Sequence, residues 1–87
     1  MDEDLYRAYA AATKALRRLG IASRGPGVII ALQEVDAVVS DCRGDPAVQA
    51  VVHLADAIRR CYRQGYASSP ELTRAWRVAS LSVTGPR

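Results

Sequence analysis

Two dipeptides, Asp45-Pro46 and Ser69-Pro70, constrain this chain more than any other feature of it. In each, a short polar residue stands before a proline. The polar side chain can accept from the free N–H groups of a helix start. The proline fits the first helical position, where its missing N–H had no partner to lose. Gly65 falls between the two, where a helix end favours a left-handed residue. Punctuation of this kind predicts a succession of helices, and the apolar spacing between the marks agrees.

The first segment predicts a helix over 2–19. Leu5, Tyr9, Ala12, Leu16 and Leu19 form one stripe, and Ala8, Ala10, Ala11 and Ala15 add helix propensity. Gly20 reads as its left-handed terminator, with Ile21 folding back onto Leu16. Residues 20–27 then form the connection. The second segment, 28–42, is rich in Val and Ile, which suits a strand. Its periodicity is helical instead: Val28, Ala31, Leu32, Val35, Val38, Val39 and Cys42 recur at three and four, and fifteen residues exceed a usual strand. A third helix over 46–64 carries Val48, Val51, Ala55, Ile58 and Tyr62, widened by Val52, Leu54 and Cys61. A fourth over 70–83 carries Leu72, Trp76, Ala79 and Val83. The expected fold is all-α: a compact antiparallel four-helix bundle forming a single domain over 1–87.

Eighty-seven residues leave no room for a second domain, and 49% apolar with 24% charged residues suits a globule rather than a disordered tail. No apolar run reaches the length of a membrane span, so no membrane partner is expected. The acidic start, Met1-Asp2-Glu3-Asp4, is unlike a secretory leader, which points to the cytoplasm. Cys42 and Cys61 read as small buried thiols. In a hairpin of the second and third helices they stand roughly 22 Å apart, beyond disulfide reach. With His53 as the one histidine, no zinc set can be assembled, and no metal or cofactor is expected.

The residues also argue against catalysis. His53 and Cys61, eight apart on one helix, stand about 12 Å apart along its axis. His53 and Asp56 can meet, but no nucleophile motif accompanies them. Gly25-Pro26-Gly27 is too short for a phosphate loop and lacks its Lys-Ser/Thr ending. Glu34, Asp36 and Asp41 read as a solvated helix face. Neither an enzyme nor a small-molecule substrate is expected.

Charge is the informative property. Net charge is +3, from eleven Arg, one Lys and nine acids. Residues 1–45 hold six bases and seven acids; the rest hold six bases and two acids. Bundle topology gathers Lys14, Arg17, Arg18, Arg24, Arg59, Arg60 and Arg63 at one end, opposed by Glu71. Asp2, Glu3, Asp4, Asp41 and Asp45 collect at the other end with Arg7, Arg43 and Arg87. Bases at helix ends and acids at helix starts are what the helix dipole favours by itself. The same pole also suits anions, because Arg forks match phosphate and helix starts offer N–H groups. Tyr66, in a loop beside Arg63 and near Arg74, is placed for exposure, as is Tyr6; Tyr62 and Trp76 lie on apolar stripes and read as core. Counting from Gly65 or from Gly44 gives only poor helix-turn-helix matches, so sequence-specific groove reading is not favoured.

The expected role is therefore a small basic binding protein. Its site is Arg17, Arg18, Arg24, Arg59, Arg60, Arg63, Tyr66 and Arg74, and its partner is nucleic acid or a nucleoprotein complex. A phage-type inhibitor of a bacterial nucleic-acid machine is one concrete version. The alternative is a protein–protein module or homodimer. It would use apolar residues off the main stripes: Ile29, Ile30 and Val52, with Ala37. A helix as apolar as the second must be central or must cover its outer face with a partner.

Overall fold

A computed structural model describes residues 2–21, 25–40 and 45–84. Four helices make up the fold: α1 (Asp2–Ile21), α2 (Pro26–Val39), α3 (Pro46–Gln64) and α4 (Pro70–Thr84). They form an all-α four-helix bundle, and no strand occurs among the described residues. No helix among them is long and apolar enough to cross a membrane.

Both polar-proline starts work as the sequence predicts. Asp45 accepts from the Ala47 N–H at 2.9 Å. The Ser69 hydroxyl oxygen accepts from the Leu72 N–H at 3.0 Å, and the Cys61 thiol donates to the same oxygen at 3.4 Å. Gly65 ends α3 at φ 77°, and the Tyr66 N–H closes the turn onto the Cys61 carbonyl at 2.9 Å. Ser69→Ala removes the α4 cap and a partner of Cys61. It should lower stability by about 1 kcal/mol, read as a shift of the urea midpoint.

The first connection corrects the sequence reading. Gly20 is not left-handed; α1 continues through it to Ile21, and Gly65 is the one positive-φ glycine among the described residues. Ile21 does not fold back onto Leu16 and is 83% exposed. Helix α2 begins at Pro26 rather than at Val28, with Gly25 as its N-cap. Gly20 thus lies inside α1 and has no turn to make. Gly27, inside α2, leaves space for α1: a Cβ there would stand 3.3 Å from the Arg18 side-chain Cδ. At its other end α2 stops at Val39 with Ser40 as C-cap, short of the expected 42. Cys42, and with it the expected separation of the two cysteines, lies outside the described residues.

Packing follows side-chain size. Ala8, Ala12 and Ala15 of α1 are fully buried, and short side chains there let α1 lie close against Val28, Ala31, Leu32 and Val35 of α2. Helix α3 buries eight residues, among them Val51, Leu54 and Ile58 with no exposure. Leu54 and Cys61, expected at the margin of its stripe, are enclosed, whereas Tyr62 is half-buried. Helices α1 and α3 touch each other and both remaining helices; α2 and α4 do not touch. So α1 and α3 form the middle of the bundle, with α2 and α4 on opposite flanks. The apolar second helix is not the central one. Helix α4 closes over α1 through Trp76, which stacks on Tyr9 at 5.6 Å, and through Ser80, 3.0 Å from the Tyr9 hydroxyl.

Candidate nucleic-acid interface

The chain direction decides which cations share an end. Arg18, late in α1, packs on Gly27, early in α2, so the two helices are antiparallel. Asp36 and Val39, late in α2, share a surface cleft with Gln49, Val52 and Arg59 of α3, which again runs opposite. Helices α1 and α3 therefore point the same way, and their C-terminal ends lie at one end of the bundle. The turn at Gly65 brings the start of α4 to that end as well.

Not every expected cation is available there. Arg59 is 28% exposed and holds two carboxylates: Asp36 of α2 at 2.5 Å and Asp56 of its own helix at 3.1 Å. Arg60 pairs with Glu71 across the α3–α4 turn. These two arginines join helices. Arg59 ties α2 to α3, and Arg60 ties α3 to α4. A clamp of this exposure contributes up to about 1 kcal/mol. Arg59→Ala should therefore lower stability by that order while changing nucleic-acid affinity less than about threefold, since one weak contact at most is lost. Parallel urea unfolding and filter binding check both halves.

Arg17, Arg18, Arg63 and Arg74 are exposed, and among the described residues none of them forms an ion pair. Arg24, the remaining arginine of the expected set, lies outside the described residues, as do Asp41, Arg43 and Arg87. Tyr66 is 59% exposed at the same end, and Tyr6 is 54% exposed on α1. Lys14 and Arg17 run along the outer face of α1, where a surface cavity of about 880 Å³ is also lined by Tyr6, Tyr9, Thr13 and Ile21.

The three proline-led helices differ at their starts. Asp45 and Ser69 satisfy α3 and α4, but Gly25 gives α2 no side-chain cap. Beside that start is a cavity of about 240 Å³ lined by Arg18, Ile21 and residues 25–28. A cation and the positive end of a helix thus share one small recess, an arrangement that favours an anion. Sequence reading counted Arg18 but passed over this recess. It placed the helix start two residues too late, although Pro26 obeys the rule that placed Pro46 and Pro70.

Nucleophilic groups are arranged differently. Cys61 is buried and bonded to Ser69. His53 is exposed, while Asp56 is bonded to Arg59. The outer face of α2 leaves Ile29 36% and Ile30 64% exposed; Val52 is half-buried. Comparison with protein-family models, curated sequences and solved structures finds no match to this chain.

Proposed function

We infer that this chain is a non-catalytic binding protein that holds nucleic acid, alone or within a nucleoprotein complex, at its basic end. The observation that carries this reading is the division of the arginines. Arg59 and Arg60 are consumed by ion pairs that join helices, while Arg17, Arg18, Arg63 and Arg74 are exposed at one end and form no ion pair among the described residues. Helix-dipole matching accounts for a base near a helix C-terminus. It does not account for Arg74 in the first half of α4, where the dipole is unfavourable or neutral. Phosphates satisfy all four, and Tyr66 adds a ring on which an unpaired base can stack.

Binding is by occupancy: the protein covers phosphates and blocks whatever else would hold them. The contacts are to backbone charge, so single and double strands, DNA and RNA, are all held with little regard to sequence. A mobility-shift assay with each of these four probes at about 50 mM salt tests the reading, because electrostatic binding is strongest there. A retarded band is the expected result. A protein that retards none of them does not do what is inferred here.

A further inference from the structure

We propose that the outer face of α1 holds an unpaired stretch of nucleic acid, a base lying on the Tyr6 ring and phosphates on Arg17 and Arg18, so that single strands are the preferred ligand. This rests on the reading of the basic end as a phosphate site and names the substrate class of that site. Its basis is the surface cavity of about 880 Å³, whose described lining comes from α1 alone. That trough runs from Tyr6 to Ile21, about 22 Å along the helix. Such a length far exceeds a free phosphate and equals several nucleotides stacked at roughly 3.4 Å each.

The two ends of the trough differ in chemistry. Towards the α1 C-terminus, Arg17 and Arg18 are exposed and in no ion pair among the described residues. Lys14 lines the trough too, although it shares a neighbouring cleft with Glu34 of α2. No acid lines the trough among the described residues. Arg18 and Ile21 also border the recess at the start of α2, so trough and recess adjoin and the cationic path continues to the basic end. Towards the α1 N-terminus the Tyr6 ring is 54% exposed, and the short side chains of Ala10 and Thr13 leave a low floor beside it. Thr13 donates its hydroxyl to the Tyr9 carbonyl at 2.9 Å, and Tyr9 is held by Trp76 and Ser80. The floor is therefore set before anything binds, which lowers the cost of binding. Cations tracking a backbone beside an exposed ring are how strands are held without regard to sequence. A duplex offers the phosphates but keeps its base faces stacked on one another, so it can use only the cations.

Fluorescence anisotropy at about 50 mM salt tests this with three probes of equal length: an oligothymidine strand, the same strand without its bases, and a duplex. The abasic strand keeps every phosphate, so its deficit measures the bases. Wild type should hold the thymidine strand at least about tenfold more tightly than the abasic one, the order expected of a stacked base, and more tightly than the duplex. Tyr6→Ala should cut the ratio of intact to abasic affinity at least about fivefold, with helical content by circular dichroism unchanged. Tyr6→Phe should keep that ratio within about twofold, because the ring and not the hydroxyl does the stacking. A wild type that binds duplex but holds intact and abasic strands equally, or prefers the duplex, overturns this proposal and leaves the phosphate site standing. A ratio untouched by Tyr6→Ala overturns it as well. Binding to none of the probes overturns both this proposal and the reading beneath it.

Discussion

Leu54→Ala should lower folding stability by about 3 kcal/mol, read as a reduced urea midpoint at unchanged slope. Leu54 has no exposed surface, and it sits on α3, which packs against all three other helices. Shortening it leaves a void bounded by rigid helices that cannot all close in. The cavity adds to the lost transfer energy, which is why the cost exceeds that of burying the missing carbons alone. Leu81→Ala is the control. The same atoms are removed from a side chain 65% exposed, and the change should stay within about 0.5 kcal/mol. Equal losses at the two positions would remove α3 from the centre of the core.

The centrality of α3 was only partly legible in the sequence. Its limits, its Asp45 cap and its Gly65 terminator follow from rules that act within a few residues, and all three hold. Its depth does not follow from local rules. Ala50 and Ala57 widen the buried arc because α1, α2 and α4 approach from three sides. Counting apolar residues left α2 either central or covered by a partner, since Val and Ile crowd that segment. Yet α2 lies on a flank, and its surplus of Ile29 and Ile30 faces outward. The same division holds at the basic end. The exposure of Arg17, Arg18 and Arg63 is set by helical face, which spacing reveals. The loss of Arg59 to Asp36 is not, because the two are twenty-three residues apart and meet only through the packing of α2 on α3. Gly27 is a similar case. It read as a loop glycine, but it is a helical residue kept small under the Arg18 side chain.

Charge reversal at the four exposed arginines of the basic end carries the second large effect. Arg17→Glu, Arg18→Glu, Arg63→Glu and Arg74→Glu together should weaken binding to a DNA duplex at least about 100-fold, since each removes a phosphate contact and adds repulsion. All four side chains are exposed and outside the ion pairs that join helices, so the bundle should keep its helical content. Reversing Arg17 and Arg18 alone should give an intermediate loss. Unaltered affinity in the fourfold variant would mean that the basic end is helix-dipole matching and nothing more.

The most direct measurement is the salt dependence of duplex binding by the wild-type protein, compared with that of Arg17→Glu/Arg18→Glu. Four phosphate contacts give a log–log slope of about −3.6, so affinity should fall roughly 150-fold between about 50 and 200 mM salt. The double variant loses two contacts, and its slope should be shallower by about 2. A wild-type slope near zero, or one that the double substitution leaves unchanged, would contradict the assignment of this end of the bundle to nucleic acid.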